Sequence, residues 1–125
     1  MYSEKVVAGF FIILSLTLNF GFVYGEIDNI DHHNKYELFA ATVVNLIATT
    51  MKLGDKTQVG SVLLSTSLVA DLQLLAAAIV WGVAANITGM DIATTVVIVS
   101  LASGALIANI VSVVLYIGDT LNSRR

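Results

Sequence analysis

Cysteine and proline are both absent from this 125-residue chain. Without cysteine there is no disulfide, no thiolate zinc site and no thiol nucleophile, and the redox compartment leaves no trace in the sequence. Without proline, no apolar segment is broken by a missing amide donor. Charge is scarce as well, at 12% of residues against 57% hydrophobic, with a mean hydropathy of +0.87. What charge there is falls in short clusters instead of along amphipathic faces, so a soluble domain of this size would have no polar surface to present. A net charge of −3 offers no basic footprint for nucleic acid, and no glycine-rich phosphate loop follows a predicted strand. No nucleophile–base pair, metal-ligand cluster or cofactor motif is visible, and the connections are too short to enclose a water-free site. The expectation is a non-enzymatic membrane protein with no metal and no cofactor.

The apolar residues fall into runs that set the organisation. Val6 to Gly25 carries no charge and suits the roughly 30 Å hydrocarbon core at about 1.5 Å per residue. Phe20, Phe22 and Tyr24 near its end read as an interfacial aromatic belt, so it is expected to be a retained helix and not a cleaved signal. Glu26 to Glu37 is a polar, mostly acidic loop that holds His32 and His33. Leu38 to Met51 is short enough that a full crossing, a re-entrant segment and a buried helix all compete. After the polar knot Lys52–Gln58 come a long run from Val59 to Ile87 and another from Ile92 to Gly118. The whole chain, 1–125, reads as one transmembrane domain with helices at about 5–25, 37–51, 58–87 and 91–118.

Asp71 stands alone in the nearly uncharged stretch from Thr57 to Met90. A charge near the bilayer midplane costs at least about 2.5 kcal/mol, so such a carboxylate requires a partner, water or a proton. Asn19, Asn45 and Asn109 are candidate hydrogen-bond partners, with ion binding, proton transfer or gating as the functional alternatives. Gln73 lies on a different face and reads as an interhelical hydrogen bonder. Ser100, Gly104, Ala108 and Ser112 recur at four-residue intervals, a smooth ridge that invites close helix packing within or between chains. Ser67, Asp71, Ala78 and Gly82 make a similar stripe, and Gly21 and Gly25 add a G-x-x-x-G pair. The adjacent histidines read as solvated loop residues, with metal binding or pH sensing as the less expected alternative. Trp81 suits either an aromatic belt or the core.

The junction Ala48-Thr49-Thr50-Met51-Lys52-Leu53-Gly54-Asp55-Lys56-Thr57-Gln58-Val59 resembles the end of the pore helix and the selectivity filter of the tetrameric potassium-channel superfamily, where T-T-V-G-Y-G-D leads to T-P-V. Thr49, Thr50, Gly54, Asp55, Thr57 and Val59 match in place. The resemblance implies an outer helix, a turret-like acidic loop, a short re-entrant pore helix with a filter-like loop over Thr49, Thr50, Met51, Lys52, Leu53, Gly54 and Asp55, a long inner helix, and one further transmembrane helix. It also implies a homo-oligomer, a tetramer in that family, acting on inorganic ions. Lys52 replaces the first filter glycine, whose permissive backbone the family's carbonyl-lined filter uses, while Leu53 replaces the tyrosine and Gln58 the proline. These departures argue against ordinary potassium selectivity.

Without the resemblance, the same string is a turn between two membrane helices with Gly54 as C-cap, and the chain is a four-helix transmembrane bundle. That arrangement places Lys5, Lys52, Lys56, Arg124 and Arg125 together on the cytoplasmic side and the acidic loop outside, as charge bias favours. An inverted pore loop followed by an additional helix, as in the glutamate-receptor channels, satisfies the bias less well. An ordinary pore loop satisfies it least. The leading expectation is an oligomeric ion channel or channel-like pore; the alternatives are a non-conducting structural or regulatory membrane subunit and a proton-coupled small carrier that uses Asp71. The compact length points to a bacterial inner membrane.

Overall fold

The computed structural model describes residues 2–53 and 57–123, with side chains described for 6–53 and 57–122. Among the described residues four α-helices follow one another: α1 (Tyr2–Val23), α2 (Lys35–Lys52), α3 (Gln58–Val83) and α4 (Ile92–Ser123). A single 3₁₀ turn, Ile30–His32, lies between α1 and α2, and a π turn, Ala84–Thr88, follows α3. Among the described residues there is no strand.

Local chemistry sets the helix ends. Asn34 Oδ1 accepts from the Tyr36 amide at 2.8 Å and starts α2, Thr57 Oγ1 accepts from Gly60 at 3.0 Å and starts α3, and Asp91 Oδ1 accepts from Thr94 at 2.8 Å at the start of α4. Gly89, at φ +91°, carries the chain out of the π turn in a conformation that L side chains avoid. The end of α1 is closed by a side chain from beyond the helix. The buried His33 ring sets Nδ1 2.6 Å from the Phe22 carbonyl oxygen and Nε2 2.7 Å from that of Glu26.

Each helix buries one stripe and leaves its other faces apolar and exposed, as lipid requires. On α2 the buried positions are Leu38, Ala41, Thr42, Asn45, Ala48, Thr49 and Lys52, the spacing of one helical face. Leu68, Leu72 and Ile79 of α3, by contrast, point outward. Neighbouring helices pack in the cyclic order α1–α2–α3–α4–α1. Side-chain pairings give the directions. Gly9 faces Tyr116 while Asn19 bonds Ala102, and Lys52 reaches Ser67 while Asn45 reaches Asp71, so each neighbour runs antiparallel. The bundle therefore has a loop end, with the α1–α2 and α3–α4 connections, and a terminal end, with the start of α1, the α2–α3 turn and the finish of α4.

Val6–Val23, Gln58–Thr88 and Ile92–Asn122 are long and apolar enough to cross a membrane, which marks an integral membrane protein. At 18 residues α2 is about 27 Å long and more polar, yet it runs between α1 and α3 from the loop end towards the terminal end. Together the four helices form an all-α bundle, and a pore-type re-entrant helix is not shown among the described residues. The helix C-terminus also departs from a filter. Thr49 to Lys52 form the last turn of α2 and Leu53 follows at φ −64°, ψ −28°, so the backbone from 49 to 53 is helical and not an extended carbonyl ladder. Lysine at 52, with a Cβ where a filter has glycine, favours that outcome. Gly54 and Asp55, with Lys56, lie outside the described residues.

Candidate polar site inside the bundle

The interior divides along its length. Towards the loop end lies an apolar cluster that includes Phe22, Leu38, Leu74, Ala77, Trp81, Ile98 and Ala102. Phe22 is fully enclosed and its ring centroid is 5.9 Å from that of Trp81, so Trp81 is a core residue. The next layer towards the terminal end is polar, and every helix contributes to it: Ser15 and Asn19 from α1, Asn45, Thr49 and Lys52 from α2, Ser67 and Asp71 from α3, and Asn109 and Ser112 from α4, all buried.

Asp71 is at the centre of this layer and 5% exposed. Asn45 Nδ2 donates to its Oδ1 at 2.6 Å, and Thr49 Oγ1 is 2.6 Å from its Oδ2. Thr49 Oγ1 is also 2.9 Å from the Asn45 carbonyl oxygen one turn back. Lys52 sits at the last turn of α2, and its Cα–Cβ bond tilts towards the helix N-terminus, so the side chain folds back into the bundle. Its ammonium donates to Ser67 Oγ and, at 3.0 Å, to Ser112 Oγ, within electrostatic reach of Asp71. A second chain of bonds lies beside the first: Asn109 Nδ2 donates to Asn19 Oδ1 at 2.9 Å, and Asn19 Nδ2 to the Ala102 carbonyl at 2.9 Å.

Of the three asparagines considered as partners for Asp71, Asn45 takes the role, and Asn19 pairs with Asn109. Thr49 and Lys52, read from sequence as filter residues, face the protomer's own interior, whereas Thr50, Met51 and Leu53 are exposed. In the ridge, Gly104 lets the Gln73 amide lie against α4 and Ser112 meets Lys52, so these residues are used within the chain; Ala108 packs at the core and Ser100 is exposed. Gln73 Oε1 is buried without a hydrogen-bond partner, as is Asn45 Oδ1. His32 is exposed and accepts from the Glu26 amide, while His33 is enclosed, a difference between adjacent histidines that no sequence signal marks. Among the described residues no group of three or more His, Cys, Asp or Glu side chains converges.

Fold and site together define a small integral membrane bundle with one carboxylate and one ammonium held in its interior. The chain belongs to the DUF6394 family, a family of unknown function whose model matches residues 32–120. The match takes in α2, α3 and all but the end of α4, and with them every side chain around Asp71; Ser15 and Asn19 lie outside it. Neither a curated protein nor a solved structure shows a match to the chain.

Proposed function

We propose that this protein is a proton-coupled transporter of small ions in which Asp71 is the proton-binding group. The observation that carries the reading is the chain of contacts from Asp71 through Thr49 to the Asn45 carbonyl, a geometry able to satisfy the carboxyl in either charge state. Ionised, it accepts from Asn45 and from Thr49. Protonated on Oδ2, it donates to Thr49 Oγ1, whose own proton then goes to the Asn45 carbonyl. A buried carboxylate that served structure alone needs only one of these states to be satisfied. A proton carrier needs both, because an unsatisfied state would set a barrier of a few kcal/mol in every cycle.

The apolar cluster and the His33 closure separate the polar layer from the loop end, and towards the terminal end the enclosed apolar residues among those described include Ile12 and Leu63. In the sequence, Lys5, Lys56, Arg124 and Arg125 adjoin the terminal end, which under charge bias is cytoplasmic, and a bacterial inner membrane fits this orientation. The test is proton flux into liposomes that contain the purified chain, followed with an internal pH dye while sodium, potassium or chloride gradients are imposed. Saturable flux that depends on an ion gradient and is lost in Asp71→Asn supports the proposal; unchanged flux in that variant overturns it.

A second reading, an oligomeric channel-like pore in which the Thr49 to Asp55 string of several copies surrounds one axis, is favoured by the exposure of Thr50 and Met51 at the terminal end together with the filter-like order of residues. In that arrangement α2 would act as the pore helix and α3 as the inner helix of a homotetramer. It requires a symmetric homo-oligomer, flux that does not saturate, and a rise in cation flux in Lys52→Gly. A non-conducting subunit would show no flux under any gradient.

A further inference from the structure

We propose that the interior layer is also a binding site for a dehydrated alkali cation of sodium or lithium size, formed by the Asp71 carboxylate, the Asn45 amide oxygen and the Thr49 hydroxyl, and that the Lys52 ammonium is a tethered cation competing for it. This rests on the transport reading and names the ion coupled to the proton. The first support is the unpartnered Asn45 Oδ1, on a residue 2% exposed whose Nδ2 already touches Asp71. A buried acceptor without a donor is costly in any structure, and more so in lipid. Turning the amide by half a rotation exchanges the two nearly isosteric atoms. Oδ1 then joins the Asp71 oxygens and Thr49 Oγ1 in an all-oxygen set, the kind that hard cations prefer. Asn45 thus presents a donor to the bare carboxylate in one state and an acceptor to a bound cation in the other.

Charge selects the valence. One buried carboxylate neutralises one positive charge, and two cations beside it would leave the interior with a net charge that low-dielectric surroundings penalise. The ammonium must therefore leave when the cation arrives. Lys52 is built for this: it terminates α2 next to the turn, donates among the described residues to the hydroxyls of Ser67 and Ser112, and its flexible stem can extend towards the terminal end once displaced. A divalent ion would leave an excess charge after displacement, and a larger ion such as potassium needs more oxygens than these three side chains supply.

The test uses the full chain in detergent with sodium, lithium, potassium or choline chloride at constant ionic strength. Sodium and lithium should raise the melting temperature saturably, and choline should not. Asn45→Leu should weaken the sodium effect by about tenfold or more, and Asp71→Asn should abolish it, as expected for loss of a charged ligand. Lys52→Met should tighten it by about tenfold or more, since the competitor is gone. In the unsubstituted chain, acylation of Lys52 by an amine-reactive reagent, located by mass spectrometry, should rise with sodium and not with choline; this readout needs no variant that folds poorly. Equal effects of all four salts, or a sodium effect that survives Asp71→Asn, overturn the cation site. If sodium has no effect while proton flux still depends on Asp71, the cation assignment fails and the proton reading stands. If flux is indifferent to Asp71, the proton reading itself has failed.

Discussion

The two halves of the bundle interior are built from the same four helices and solve opposite problems. Towards the loop end, Phe22, Leu38, Leu74, Trp81 and Ile98 fill the space with apolar volume, and His33 closes the helix end above them. Towards the terminal end the same stripes turn polar, with Asp71, Asn45, Thr49, Lys52, Ser67 and Ser112 linked by hydrogen bonds that leave Asn45 Oδ1 without a partner. In lipid an apolar face gains little from helix contact, because the tails are as apolar as leucine, so the loop-end half is held by close packing. The polar half has no such freedom: each donor or acceptor that loses its partner is stranded where water cannot replace it. Packing holds one half, and hydrogen bonding holds the other.

Substitutions can break this division or sharpen it. The largest effect is expected for Asp71→Asn, which removes the proposed proton-binding group while keeping its shape; proton flux in liposomes should fall by about a hundredfold or more. Lys52→Ala strands the carboxylate without its counter-charge and should cost about 3 kcal/mol or more in an unfolding titration, largely recovered when Asp71→Asn is added. Leu74→Ala in the apolar half should cost about 2–5 kcal/mol through the cavity it leaves, and should add a proton leak that needs no ion gradient; a variant that is destabilised yet remains tight would show that the seal lies elsewhere. Gly104→Ala drives a methyl group into the Gln73 amide and should cost about 1–3 kcal/mol in melting experiments, an effect that shortening Gln73 to alanine relieves.

The smallest effect is at the surface. Asp91 caps α4, and the hydrogen bonds from Thr94 hold its carboxyl below the ordinary value of 3.8. Because the folded value is the lower one, the stabilisation is fully present above the unfolded-state value and is lost as pH falls through the folded one. Melting temperatures measured on the acid side should therefore drop less steeply in Asp91→Asn than in the unsubstituted chain.

Much of the fold was legible because the lipid solvent demands long apolar runs. The helices begin and end close to where the charges interrupt the hydropathy, and the absence of proline left no ambiguity inside them. Asp71 was equally visible, since a lone carboxylate in such a run stands out against its surroundings. Its partners were not. Asn45 was one of three plausible asparagines, and choosing among them requires knowing which helices are neighbours. Thr49 and Lys52 were hidden by a different reading of the same letters, in which a T-T-x-x-x-G-D string suggested extended backbone. Asn45, Thr49 and Lys52 lie at the spacing of one α-helical face, so the periodicity of α2 already placed them together. His33 left no such trace, because its burial depends on where a carbonyl at the end of α1 comes to rest.

The four described helices, in strict antiparallel order, bring the start of α1 and the finish of α4 to the same face of the bundle. Were all four to cross the membrane, a fluorescent reporter joined before α1 and one joined after α4 would report a single compartment. Two copies could be linked in tandem by a short tether with no added crossing, so a covalent pair carrying Asp71→Asn in one half can be made to count how many intact carboxylates a working unit requires.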